Sequence, residues 1–329
     1  MSHFSEIILS WYAAYGRDLP WRRSGDPYAI WLSEIILQQT RIAQGQAYWE
    51  RFMERFPTVE ALAAASEDEV LRLWQGLGYY SRARNLHAAA RQIVALGHFP
   101  DTLEGIRALK GVGDYTAAAI GSIAFGLPAA VVDGNVYRVL ARHYGIATPV
   151  GSTAAKKEFS ALAQALLPAE RAGDFNQGMM DFGALQCTPV APVCPLCPLA
   201  GSCAALAAGA VDRLPVKEKG AAVQTRRFDY VYLRFRGRTA VRKRGPGDIW
   251  QGLFEPLTNR SGLDPQSLTP LKAGVKHQLT HRTLLVDFYL WEPAEEPVLP
   301  DGYRWIDEAE LDRYAKPRLF ELLLESLPR

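Results

Sequence analysis

The stretch Cys187-Thr188-Pro189-Val190-Ala191-Pro192-Val193-Cys194-Pro195-Leu196-Cys197-Pro198-Leu199-Ala200-Gly201-Ser202-Cys203 holds all 4 cysteines of a 329-residue chain. The gaps between them run six, two and five residues. Thiols crowded this closely, in a chain with no others, read as ligands of one metal centre. Pro189, Pro192, Pro195 and Pro198 forbid a continuous helix and favour a loop wrapped around something. Three readings stay open. A pair of disulfides needs an oxidising compartment. The start Met1-Ser2-His3-Phe4-Ser5-Glu6 has no basic region leading into a long apolar one, so no secretory signal is visible. Four-thiolate zinc prefers two short Cys-x2-4-Cys halves across a longer loop. With a single short pair, the spacing here fits an iron–sulfur cluster better.

Before this loop the chain reads as helices. Ile7, Ile8 and Trp11 recur at helical spacing, as do Leu62, Val70, Leu71 and Trp74, then Leu86, Ala90, Ile93 and Val94. Pro57, Gly76-Leu77-Gly78 and Gly111-Val112-Gly113 punctuate them. Past Pro215 the character changes. Phe228 to Phe235 and Thr283 to Leu290 are aromatic and β-branched with partial alternation, as strands are. Gly245-Pro246-Gly247-Asp248 and Asn259-Arg260-Ser261-Gly262 carry turn chemistry, and Leu319 to Leu327 predicts a closing helix. The expectation is a mainly α domain over 1–215, a linker at 216–225 and a smaller α+β domain over 226–329, which the length allows. The formal charge of +2 announces no partner. Ten cations do crowd into 217–244, against Glu218 and Asp229; such a run suits a phosphate backbone or a solvated face. No apolar run approaches a membrane span, so a soluble, intracellular protein is expected.

Three further segments carry chemistry. Leu109-Lys110-Gly111-Val112-Gly113-Asp114-Tyr115-Thr116-Ala117 sets a two-glycine turn before an apolar helix, Ala117 to Ala124. Glycines permit close backbone approach, and a helix start offers N–H groups to an anion; the same turn also joins helix pairs that bind nothing. In Val131-Val132-Asp133-Gly134-Asn135-Val136 the aspartate caps a helix, Val136 to Arg142. Its other oxygen is left to face a developing positive charge. Glu34, in Ile30-Trp31-Leu32-Ser33-Glu34-Ile35-Ile36-Leu37-Gln38-Gln39-Thr40, has Ile30, Trp31, Leu37 and Gln38 one turn away. Such surroundings desolvate a carboxyl and raise its pKa toward a proton donor's range.

Together these pieces resemble the helix-hairpin-helix DNA glycosylases with a 4Fe-4S cluster, the endonuclease III superfamily, and its adenine-specific branch above all. Leu19-Pro20-Trp21-Arg22, Gly76-Leu77-Gly78-Tyr79-Tyr80, Val132-Asp133-Gly134-Asn135, the Glu34 segment, the hairpin and the four cysteines carry the resemblance over 1–215. Gly252-Leu253-Phe254-Glu255-Pro256 and the stretch around His281 are similar to the family's Nudix-like C-terminal domain, which lacks an acidic Nudix box here and so recognises rather than hydrolyses.

The resemblance implies one 4Fe-4S cluster on Cys187, Cys194, Cys197 and Cys203. It implies excision of adenine opposite 8-oxoguanine, or less readily guanine, in double-stranded DNA, by a monomer at the bacterial nucleoid in the cytoplasm. Glu34 and Asp133 carry the chemistry, with Asn135 and Tyr115 orienting them. Gln39 and one of Tyr79 and Tyr80 act as wedges, the Gly111 and Gly113 hairpin meets DNA, and Thr280 and His281 read the partner base. The family's aromatic residue at the head of that loop is Leu279 here. Tyr115 stands where bifunctional relatives carry a Schiff-base lysine, which implies no strand cleavage. An endonuclease III-like enzyme for oxidised pyrimidines or thymine mismatches is disfavoured by the extra C-terminal domain. A non-catalytic cluster-containing DNA-binding protein is disfavoured by the presence of both Glu34 and Asp133.

Overall fold

The computed structural model describes residues 2–218, 223–260, 262–280 and 282–328. The chain forms two compact units: Met1–Ala63 with Ala88–Lys219, and Ala64–His87 with Gly220–Arg329. One excursion, 64–87, thus departs from the expected single break at 216–225, and the contacts that hold it join residues far apart in the chain. A Cβ on Gly252 would lie 3.0 Å from Leu71 Cδ1. Arg84 Nη1 donates to the Gln251 carbonyl at 2.6 Å, and Gln75 Oε1 accepts from the Lys316 N–H at 3.1 Å.

The first unit is helical, as expected. His3–Tyr15 starts on Ser2, whose hydroxyl accepts from the Ser5 N–H at 3.2 Å. It packs on Ala172–Leu185, which in turn packs on Gly134–Tyr144. Phe4, Ile8, Leu9, Phe159, Phe175 and Phe182 fill the space between, and Cys187, Cys197 and Cys203 pack against this core. The glycine turn is a helical hairpin: Leu103–Arg107, a loop with Gly111 at φ +79°, then Asp114–Phe125. That conformation is strained for a side-chain-bearing residue. Gly183 is required for closeness instead, since a Cβ there would meet Asn135 Cβ at 2.6 Å.

The second unit is a mixed sheet. Its strands are β1 Gln224–Phe235, β2 Arg238–Lys243, β3 Phe254–Glu255, β4 Leu268–Gln278, β5 Arg282–Trp291 and β6 Tyr303–Asp307. Their order is β3-β2-β1-β5-β4, with β6 paired to β2, and β1 runs parallel to β5 from Gln224 opposite Arg282 to Leu233 opposite Trp291. Alternation places Leu284, Val286, Phe288 and Leu290 of β5 in the core, under the helix Arg318–Leu324. Leu279 and Thr280 follow β4, and the Leu279 N–H bonds the Arg282 carbonyl at 2.8 Å. His281 lies outside the described residues.

Gly183→Ala should destabilise the first unit by about 1–3 kcal/mol, the usual cost of overpacking. The added methyl has to displace both the side chain and the backbone of Asn135. Denaturant unfolding measures it; a cost near zero would show that the two helices do not depend on this approach.

Candidate active site

The helix Pro27–Leu37 begins on Asp26, whose Oδ1 accepts from the Tyr28 N–H at 2.9 Å. Pro27 sits in the first turn, where its missing N–H costs nothing. Ile30, Trp31, Ile35 and Ile36 are buried, and they draw Glu34 inward to the wall of a cavity of about 790 Å³. Desolvation pushes the Glu34 pKa up to about 7. Arg22 and a hydrogen bond from Tyr115 act in the opposite direction, while Asp133 adds to the rise.

Asp133 lines the same cavity, as the cap of Gly134–Tyr144. Its Oδ1 accepts from the Val136 N–H at 2.8 Å and its Oδ2 from Asn135 Nδ2 at 2.8 Å. Burial raises its pKa, and these two donors hold the rise back. The expected cap and a carboxylate facing the cavity therefore coexist. Tyr115 hangs from the hairpin helix into the cavity, with Met180 Sδ 3.7 Å from its hydroxyl. Desolvation comes first, then the charge of Glu34, in lifting its pKa, so the phenol stays neutral. Gln39 also lines this cavity and takes a left-handed conformation, φ +60°. Gly113 caps Asp114–Phe125 without a side-chain hydrogen bond, and open space lies where its Cβ would be.

Several residues of this site were not singled out from sequence. Arg22 reaches the cavity wall because Asp181 fixes it, accepting from its Nη1 at 2.8 Å and Nη2 at 3.0 Å. Arg17 completes the arrangement through its Nε at 2.9 Å. Arg138 is a second such residue: its Nη2 donates to Asn135 Oδ1 at 2.8 Å and its Nε to the Cys187 carbonyl at 2.7 Å. One guanidinium thus joins the Asp133–Asn135 pair to the start of the cysteine loop. The available signal was Arg138 and Arg142, one helical turn apart among Val139, Leu140 and Ala141.

The four cysteines are half-buried and unpaired by any disulfide. Arg142 Nη1 lies 3.4 Å from Cys187 Sγ and donates to the Thr188 carbonyl at 2.7 Å. Burial raises the Cys197 pKa, and the other three thiols lie close enough to act on it electrostatically. The donor set is wholly sulfur. Among the described residues no three His, Cys, Asp or Glu side chains are gathered closely enough for a single metal ion.

In the second unit, the structure separates the two tyrosines. Tyr80 is 8% exposed and its hydroxyl accepts from the Gly76 N–H at 3.3 Å, whereas Tyr79 is 43% exposed at φ +46°. The Tyr79 hydroxyl bonds that of Thr280, and both line a cavity of about 650 Å³.

Residues 32–167 match the HhH-GPD superfamily of base excision DNA repair proteins, and 230–326 match the NUDIX domain. The adenine DNA glycosylase of Buchnera aphidicola from Baizongia pistaciae is 34% identical over 298 residues, covering 86% of this chain and 84% of that protein. The chain belongs to the adenine DNA glycosylase family. The human family member is 48% identical over 197 residues, which are 56% of this chain and 36% of that protein, so the chain spans about a third of its human relative. Among solved structures, a thermostable thymine-DNA glycosylase is 31% identical at a TM-score of 0.57, covering 62% of this chain and 95% of that one. An endonuclease III–DNA complex shares the fold at 22% identity and a TM-score of 0.54, covering 63% and 95%. The family's two-part organisation, helical and Nudix-like, agrees with the sequence expectation. Among the described residues no helix is long and apolar enough to cross a membrane.

Asp181→Ala should cost about 3 kcal/mol, because it leaves two half-buried guanidinium groups without their counter-ion. Burial alone would raise the Asp181 pKa, but hydrogen bonds from Arg22 and Arg17 outweigh it and hold the carboxyl below its ordinary value. A depressed aspartate contributes stability that is present above the unfolded-state pKa and lost as pH falls through the folded one. Wild-type unfolding curves should therefore lose stability below about pH 4, and the variant should lack that portion of the loss.

Proposed function

We propose that this protein is a monofunctional DNA glycosylase that removes adenine mispaired with 8-oxoguanine, and less readily with guanine, from double-stranded DNA. The observation that carries the reading is the facing pair Glu34 and Asp133, one poised as acid and one held as carboxylate, in a cavity large enough for a flipped base. Family membership supplies the choice of adenine.

Glu34, with a pKa near 7, donates a proton to the imidazole-ring nitrogen of adenine and makes the base a better leaving group. As the glycosidic bond breaks, the sugar gains oxocarbenium character. Asp133 stabilises it, fixed by the Val136 N–H and the Asn135 amide, either by charge alone or through a transient covalent bond as in retaining glycosidases. Water then completes an abasic site. Tyr115 holds Glu34 by hydrogen bond, and among the described residues no lysine lines the cavity. Both accord with release of the base without strand cleavage.

Gln39 and Tyr79 are the wedges in this reading. Each is a non-glycine residue on left-handed backbone, a strain of the kind that collects at functional sites. Tyr80 instead serves packing. Thr280, bonded to Tyr79, reads the partner base together with His281. The hairpin of Gly111 and Gly113, with open space at Gly113, takes a phosphate. Cys187, Cys194, Cys197 and Cys203 would hold one 4Fe-4S cluster, which supplies structure and DNA docking and takes no part in bond cleavage. Four thiols of one loop, none in a disulfide, with three packed against the core and Arg142 beside Cys187, supply the all-sulfur donor set of that group. The enzyme acts as a monomer on chromosomal DNA.

Single-turnover excision on mispaired duplexes, with alkali to reveal abasic sites, tests the function. Glu34→Gln should lower the rate roughly 10²–10⁴-fold while DNA binding persists, and Asp133→Asn should be severely impaired. Near-normal excision by either variant removes its assigned role. For the wild type, the rate should fall as pH rises through about 7 and Glu34 loses its proton. It should fall again at acid pH as Asp133 is neutralised, above the ordinary aspartate value because burial raises its pKa.

Thr280→Ala should lower the preference for adenine opposite 8-oxoguanine over adenine opposite guanine by about 1–3 kcal/mol, the worth of one base-edge contact. An unchanged ratio would move lesion reading elsewhere. Anaerobically purified protein should carry about four irons per chain, as the cluster type requires; stoichiometric zinc would overturn that assignment.

A further inference from the structure

The cation-rich run 217–244 does not act as one stripe. Arg234 and Arg238 are held by Glu308, Glu292 and Glu296. Arg226 and Arg244 instead converge on Asp248, in the loop after β2. Arg226 Nη1 lies 2.8 and 2.7 Å from its two oxygens, and Arg244 Nη2 lies 2.7 Å from Oδ2. Arg282, at the start of β5, brings a third guanidinium to 3.7 Å from Oδ1.

The sheet dictates this convergence. Gln224 pairs with Arg282 across the parallel strands β1 and β5, so Arg226 lies two residues further along the same face of β1. Arg244 immediately follows β2 and also contacts Glu255, which Arg242 already holds at 2.7 Å. Four guanidinium groups therefore share two carboxylates, an excess of like charge held together by the fold. In a partly desolvated pocket such repulsion is relieved by an anion, and guanidinium forks match phosphate oxygens. Arg226 and Arg282 are 44% and 43% exposed, leaving donors for a ligand. Asp248 and Arg282 also line the cavity that holds Tyr79 and Thr280.

We propose that Arg226 and Arg282, gathered by Asp248, which Arg244 holds in place, form a phosphate site that takes one backbone phosphate of the DNA strand carrying the partner base. This rests on the glycosylase reading, which makes duplex DNA the polyanion at hand. Arg282 stands two residues from Thr280, so the phosphate it takes belongs beside the base that Thr280 meets. The site fixes the strand's register and reads no sequence.

The test is the salt dependence of binding by the full chain to a duplex with 8-oxoguanine opposite a non-hydrolysable 2′-fluoro adenosine. One phosphate contact contributes about 0.9 to the slope of log K against log salt. Arg226→Gln and Arg282→Gln should each reduce the slope by about 1, and the double variant by about 1 rather than 2, because both meet the same phosphate. Arg238→Gln, from the same run but paired with Glu296, should leave it unchanged. Additive losses, no loss, or an equal loss from Arg238→Gln would overturn the site. A single methylphosphonate moved along the partner strand needs no protein variant. One linkage beside 8-oxoguanine should weaken wild-type binding, and uniform tolerance along the strand contradicts the proposal. Inorganic phosphate and a mononucleotide are the small-ligand probes; tight binding of either with unchanged duplex slopes would give the pocket to a free phosphate and overturn the DNA assignment. Failure of the glycosylase reading appears separately, as absence of adenine release by the wild type.

Discussion

Desolvation of the Glu34 carboxyl is the interaction on which the site depends. A glutamate in water is ionised at neutral pH and has no proton to give. Here the apolar face of Pro27–Leu37 draws the carboxyl under the cavity wall, and loss of hydration outweighs the neighbouring Arg22 charge. That balance is delicate because Arg22 belongs to the same wall. Asp181, fully buried at 0% exposure, accepts two hydrogen bonds from the Arg22 guanidinium and fixes its place in that wall.

The second carboxyl is built the other way. Asp133 is also desolvated, but a helix terminus and an amide contact its oxygens, and both favour the charged form. Burial raises both acids of this cavity, and only Asp133 has a backbone N–H and an amide holding that rise back. Arg138 extends the arrangement: the Asn135 amide that contacts Asp133 is itself held by a guanidinium bonded to the Cys187 carbonyl. The loop that gathers the thiols and the loop that presents Asp133 are therefore ordered by a single side chain. Gly183 allows the close helix approach that this requires, and its carbonyl accepts from Arg138 Nη2 at 2.5 Å.

What was legible in the sequence was what short range determines. The cysteine spacing, the glycine hairpin, the aspartate before a helix and the apolar neighbours of Glu34 all report on residues within a turn or two. The structure keeps each in its expected element. The grouping of 64–87 with the C-terminal stretch was not legible, because it depends on Leu71 meeting Gly252 and Arg84 meeting Gln251, contacts with no local signature. Nor could adjacent tyrosines be told apart by pattern. Tyr80 is inward and Tyr79 outward because the Gly76–Gly78 turn sets their directions, with positive φ at both glycines. Arg22 was visible only as part of a motif, and its partner Asp181 not at all. Buried ion pairs join positions that are distant in sequence, and pattern reading has no access to them.

Tyr115 shows how far one residue constrains the chemistry of the whole cavity. Its phenol is kept neutral by burial and by the charge of Glu34, so it donates a hydrogen bond, and it has no amine with which to form an imine. A lysine in its place would put an ammonium beside both Glu34 and Asp133. Opposite charge at that range favours the ionised form of each carboxyl. Glu34 would then lose its raised pKa. A Schiff-base amine at this position and a protonated glutamate are thus electrostatically opposed within one small, desolvated site. Among the described residues no lysine lines this cavity, and a tyrosine at 115 leaves the raised Glu34 pKa undisturbed by a neighbouring ammonium.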